Sequence, residues 1–193
     1  APGRTGRGLF AAVLMEHWPL LPVEEEGRLN DPRLRENFIE RVFGYKRWSD
    51  FSAGRRSARA LETFHRRHKF LLLAHSDSHL RSLGRLVAGA KRDIAETYRD
   101  YGKVFMEGLS VLSTRKKQTN VLEHLQGFVS DHLDKNERGE LTGLIKDYHR
   151  GLYPLIVPLT LIRHFVRKYD VAYLEDQYYL EPNPRELMLR NHV

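Results

Sequence analysis

Ten histidines and no cysteine define the side-chain chemistry open to this 193-residue sequence. Without a thiol, disulfides, thiolate nucleophiles and Cys-ligated zinc or iron-sulfur clusters are excluded for these residues acting alone. Histidine remains. His65 and His68 are three apart and His75 and His79 four apart, both workable ligand spacings on a helix, and His65 and His68 with Glu123 and His124 outline a metal or hydrolase site. No carboxylate arrangement completes such a site. His68 and His75 share the apolar side of their segment, and Ser76, Asp77 and Ser78 should break the helix before His79. The sequence therefore assigns no catalytic residue, no metal ligand and no cofactor to this chain.

Cations offer a second chemistry. In FHRRHKFLLLAHS (64–76), three formal cations and three histidines surround a leucine run. Advancing 100° per residue from Leu61 places Phe64, His68, Leu71, Leu72 and His75 in one sector, with Arg55, Arg56, Arg59, Arg66, Arg67 and Lys69 opposite. Glu62 is the one acid between 55 and 69, so the ridge lacks the i,i+4 carboxylates that usually neutralise an exposed helix. TRKKQTNVLEHLQGF (114–128) carries Arg115, Lys116 and Lys117 just upstream of an Asn120/Glu123 capping-box pattern. Positive residues there crowd a positive helix end, which is unfavourable until an anion such as phosphate binds. In YPLIVPLTLIRHFVRKYD (153–170), Arg163 with Arg167 and His164 with Lys168 line the outer side of a helix without acidic partners. Three unneutralised elements form the surface that tracking a nucleic-acid backbone requires, and Tyr98, Tyr101, Tyr148 and Tyr153 are either stacking faces or, at helical spacing, core.

The elements that must position these residues read as helices. PVEEEGRLN (22–30) is a surface linker, after which Asn30 or Asp31 can cap a long helix beginning at Pro32. Leu34, Phe38, Val42 and Tyr45, with Ile39 and Trp48, give it one apolar stripe. The pattern predicts further helices at about 55–75, 78–91, 92–112, 120–133, 137–150 and 158–168, with a short one after Pro184. Phe64, Leu71, Leu72, Leu125, Leu159 and Ile162 should be core. The expected class is all-α: a single domain of about six to eight helices with an N-terminal helical extension.

Composition agrees with a folded chain of one core, at 41% hydrophobic residues and a net charge of +7. The charge is uneven. Residues 1–45 hold six arginines, no lysine and seven acids, which leaves 26 cations and 18 acids, a net of +8, for 46–193. Such an excess favours polyanions. The longest apolar runs, LFAAVLM (9–15) and FLLLA (70–74), fall well below the roughly 18 residues of a membrane helix. RTGRG before LFAAVLM imitates a signal peptide poorly, because Glu16 follows at once without a cleavage site. A cytoplasmic location is expected.

RVFGYKRW, FHRRHKFLLLAHS, LGRLVA, TRKKQTNVLEHLQGF, GLYPLIVPLTLIRHF and QYYLEPNPRELMLRN, in that order, resemble the YbgA-like domain, domain of unknown function 1722, over 42–193. Residues 1–41 resemble the C-terminal end of a thiouracil-desulfidase-like domain, followed by a linker and a connecting helix. The resemblance implies an accessory role beside a domain that removes sulfur from thiolated uracil, including 4-thiouridine in transfer RNA. The iron-sulfur cluster of such a protein belongs to that preceding domain, and its Cys ligands map to no position here.

These readings lead to an RNA-binding module, with tRNA as the expected partner and a desulfidase-like domain in cis. Arg55, Arg56, Arg59, Arg66, Arg67, Lys69, Arg115, Lys116, Lys117, Arg163, Arg167 and Lys168 are the expected phosphate contacts. The alternative is a structural or partner-docking domain whose charges serve solubility.

Overall fold

The computed structural model describes residues 8–90, 92–184, 187 and 190. Nine α-helices occupy them: α1 (Leu9–His17), α2 (Pro32–Ala53), α3 (Ala58–His75), α4 (Asp77–Gly89), α5 (Ile94–Ser110), α6 (Arg115–Val129), α7 (Lys135–Arg150), α8 (Ile156–Lys168) and α9 (Ala172–Glu175). Short 3-10 turns lie at Glu26–Asn30 and Ser130–His132, and no strand occurs among the described residues. The fold is all-α.

Helix ends follow local chemistry. Asp31 caps α2 by accepting from the Arg33 and Leu34 amides at 2.8 and 3.2 Å, and Pro32 fills the first helical position. Ser76 both ends α3 and caps α4, so the break before His79 falls where the sequence placed it. α6 is a correction: it starts at Arg115, capped by Thr114, not after Asn120. Arg115, Lys116 and Lys117 thus form its first turn. A capping box does occur, between Asp134 and Glu137 at the start of α7. Gly151 ends α7 at φ +84°, a left-handed C-cap that a side chain would strain. The helix expected after Pro184 falls mostly outside the described residues.

α3 is central. It packs on α4 and α5 on one side and on α6 on the other, where α7 and α8 complete a second group, and α2 lies along α5. Leu61, Phe64, His68, Leu71, Leu72 and His75 are all buried, as the 100° projection requires. Leu125, Leu159 and Ile162 are buried too, as are Tyr98, Tyr101 and Tyr148, while Tyr153 remains 45% exposed. An aromatic cluster joins the first group: Trp48 stacks on Tyr101 at 5.2 Å and Phe51 on Phe64 at 4.6 Å. Trp48 comes so close to α5 that a Cβ at Gly102 would overlap its indole.

The α2 stripe reads differently from the sequence expectation. Val42 is exposed and Leu34, Phe38 and Tyr45 are half-buried, whereas Glu36, Asn37, Glu40, Gly44 and Trp48 face inward. Glu40 is tolerated on the inward face because it meets His75 and Arg190 there. α2 also continues unbroken through 41/42, so residues on both sides of that position share one interior.

Leu71→Ala should cost roughly 2 to 5 kcal/mol, since Leu71 is fully buried. Gly102→Ala should also destabilise, by about 1 to 3 kcal/mol, because overlap with Trp48 outweighs the gain in helix propensity of about 1 kcal/mol. Urea denaturation of the two variants measures both effects.

Candidate functional site

The predicted cations divide into two groups once their surroundings are known. Arg66 grips Asp176 with both terminal nitrogens, at 3.0 and 2.5 Å. Arg67 donates through Nε to the Asp176 carbonyl at 3.3 Å and lies over the Tyr178 ring at 4.6 Å. Arg47, absent from the sequence reading, covers Tyr178 at 4.5 Å and donates to the Pro182 carbonyl at 2.7 Å. Arg163 donates to the Leu180 carbonyl through Nε at 2.7 Å. These arginines bind the protein's own segment 176–182, which passes along α3 and α8. The expected free ridge is therefore corrected at Arg66, Arg67 and Arg163.

Two lysines are corrected for similar reasons. Lys168 pairs with Glu137 at 2.6 Å, which also accepts from the Tyr169 hydroxyl, so α8 has the acidic partner that its sequence neighbourhood lacks. Lys117 Nζ donates to the His75 carbonyl at 2.6 Å, satisfying an acceptor at the end of α3 where a cation is electrostatically favoured. Arg115 lies 6.0 Å from the Tyr148 ring centre, beside Gly151.

The second group is exposed and has no ion pair among the described residues: Arg55, Arg56, Arg59, Lys69, Lys116 and Arg167. Arg55, Arg56 and Arg59 flank the start of α3, and Lys116 sits in the first turn of α6, beside the end of α3. No acid occupies either first turn. α3 is 18 residues long, so these two cationic positions lie roughly 27 Å apart along it. Arg59 also edges a groove of about 410 Å³ whose walls include Phe51, Phe64, Arg67 and Tyr178.

The structure brings together a site that the sequence reading missed. Glu40, on the inward side of α2, accepts from His75 Nε2 at 3.0 Å and from Arg190 at 3.1 Å. His75 Nδ1 faces the Val111 carbonyl at 2.8 Å, so both ring nitrogens meet acceptors. Arg190 also donates to the Tyr179 carbonyl at 2.6 Å, and the Tyr179 hydroxyl donates to Gln118 at 2.6 Å. Asn37 donates to the Leu109 carbonyl at 3.0 Å. Burial alone pushes the Glu40 carboxyl up, but the His75 hydrogen bond and the Arg190 charge outweigh it and hold the pKa at about 2. Glu36, desolvated and facing the Glu40 charge, is pushed up to about 7. The adjoining cavity of about 20 Å³ has room for one water and no organic substrate. The cluster thus acts as an ion lock between helices. In the sequence, its signal was the pair of acids Glu36 and Glu40, one turn apart on the inward side of α2.

The candidate metal residues do not converge. His68 Nδ1 donates to the Phe64 carbonyl at 2.8 Å, which leaves Nε2 to accept from Arg47 at 3.1 Å. Burial and then the Arg47 charge hold its pKa well below the usual histidine value. His65 bonds the Tyr101 hydroxyl at 3.0 Å, and His79 bonds Ser76 at 2.7 Å. Glu123 and His124 are exposed on α6. Among the described residues, no three His, Asp or Glu side chains form a metal-sized group. None of the helices among them is long and apolar enough to cross a membrane.

Comparison with known proteins gives the family of this chain. Residues 69–184 match the family described as "Protein of unknown function (DUF1722)". The "Uncharacterized protein YbgA" of Escherichia coli (strain K12) is 33% identical over 165 residues, covering 84% of this chain and 98% of that protein. No solved structure matches the chain. The chain belongs to the DUF1722 family.

The two shifted carboxylates predict opposite pH effects. Glu36, whose folded pKa is raised, contributes stability below about pH 4.5 that is lost as pH rises through about 7. Glu36→Gln cannot ionise, so its urea midpoint should gain on that of the parent protein between about pH 5 and pH 8. A constant difference between the two midpoints would contradict this. Glu40 acts the other way: its contribution is present above about pH 4.5 and is lost as pH falls through about 2. Arg190→Met, which leaves the buried Glu40 with His75 alone, should cost roughly 3 to 5 kcal/mol in the same measurement.

Proposed function

We propose that this chain is an RNA-binding module that holds phosphates through the cations left unpaired at the two ends of α3. The observation that carries this reading is the placement of Arg55, Arg56, Arg59 and Lys116. All are exposed, none has a carboxylate partner among the described residues, and Arg59 and Lys116 occupy first turns without acids. An anion supplies what each helix end lacks. With about 27 Å between the two positions, the ligand is an extended polyanion rather than a single phosphate. Such contacts register charge and backbone shape, not base sequence.

Transfer RNA is the RNA class we propose. By resemblance of its first 41 residues, the module serves a desulfidase-like domain in cis and is not an enzyme by itself, the iron-sulfur chemistry belonging to that domain. A docking role is the second reading. It is favoured by α1, whose Leu9 and Phe10 are 84% and 81% exposed on a helix with no buried residue.

The test is tRNA binding measured across salt concentrations. Replacing Arg59 and Lys116 together should weaken binding and reduce the log-log salt slope by about 1.4 to 1.8. Lys117 is unsuitable for this pair, because it holds the end of α3. An unchanged slope in the folded double variant favours the docking reading.

A further inference from the structure

A large cavity lies apart from the lock, between the N-terminal extension, α2 and α5. It is a cleft of about 890 Å³, large enough for a ligand of drug or nucleotide size. Its apolar wall comes from Leu20, Trp48, Tyr98 and Met106, of which the last three are buried members of the core and so form a fixed surface. Four cations reach the same space: Arg41 from α2, Arg56 from the α2–α3 connection, and Arg99 and Lys103 from α5. Two carboxylates, Asp100 and Glu107, oppose them.

The charge there is poorly compensated. Arg56, Arg99 and Lys103 have no ion pair among the described residues. Arg41 reaches Glu24 only at 3.7 Å, and its Nε–H is buried without a hydrogen-bond partner in the protein. A buried guanidinium N–H without an acceptor is costly, and an anion beside the guanidinium offsets the desolvation of its charge. Burial already pushes the Arg41 pKa down, and a bound anion would act in the opposite direction by favouring the charged guanidinium.

The geometry points to this cleft as a binding site for a small amphipathic anion, an apolar body seated against Trp48, Tyr98 and Met106 with a single carboxylate or phosphate facing Arg41. The site shares Arg56 with the surface proposed for RNA and otherwise uses residues that surface does not. The apolar body could be an acyl chain or a nucleobase, and one experiment distinguishes them.

Anilinonaphthalene sulfonate, itself an aromatic body with one anionic group, is titrated into the 193-residue chain and followed by fluorescence, with dodecanoate and adenosine monophosphate as competitors. One saturable site per chain is expected, weakened about tenfold or more in Arg41→Gln, which loses a charge-assisted hydrogen bond. Lys103→Glu, at an exposed position, should weaken it in the same direction without affecting folding. Displacement by dodecanoate identifies an acyl body, and displacement by adenosine monophosphate a nucleobase. Displacement by neither, or equal affinity in Lys103→Glu and the parent protein, overturns the inference.

Discussion

A carboxylate buried in a protein interior is tolerated only when its charge is answered, and Glu40 is such a group. His75 and Arg190 answer it, one from α3 and the other from a residue 150 positions downstream. Through them Glu40 ties α2 and α3 to the C-terminal segment, while Asn37 and Lys117 hold the ends of α5 and α3 against the same point. Hydrophobic burial alone would let these helices slide. Hydrogen bonds at 3.0 and 3.1 Å to one carboxylate set their register.

The same economy governs the basic residues. A net charge of +7 reads as a polyanion-binding surface, yet much of it is used inside the molecule. Arg47, Arg66, Arg67 and Arg163 bind carbonyls, one carboxylate and one tyrosine ring of segment 176–182. A guanidinium suits this work because its planar fork donates in several directions and stacks on aromatic rings. Among the cations outside this strap, Arg55, Arg56, Arg59 and Lys116 flank the starts of α3 and α6, and Arg41, Arg99 and Lys103 line the cleft beside α5. Cations that look alike along the sequence are thereby sorted in space into fasteners and free ends.

Much of the fold was legible because α3 obeys a simple period. Its apolar sector, Leu61, Phe64, His68, Leu71, Leu72 and His75, is buried throughout, so that face follows from the sequence, while the burial of Phe70 on the opposite side does not. α2 was not legible in that way. Its inward face begins with Glu36, Asn37 and Glu40, and nothing nearby in sequence announces His75 or Arg190 as their partners. The start of α6 was obscured because three cations in a first turn are locally unfavourable, which made Arg115 to Lys117 read as a loop. Thr114, capping the Lys117 amide at 3.3 Å, was the signal that outweighed them. The pairing of cations was hidden for the same reason as the lock, since Asp176 and the carbonyls of Leu180 and Pro182 are distant in sequence. The membership of Arg55, Arg56 and Arg59 in one exposed group was readable, because their neighbours include so few acids.

The central claim is this division of the cations, and ultraviolet crosslinking of bound tRNA followed by peptide mapping tests it most directly. Crosslinks are expected around residues 55–59 and 115–116, at the two ends of α3. Crosslinks concentrated instead at Arg66, Arg67 and Arg163 would mean that the strap opens to RNA, and would contradict the assignment of those arginines to the protein's own chain.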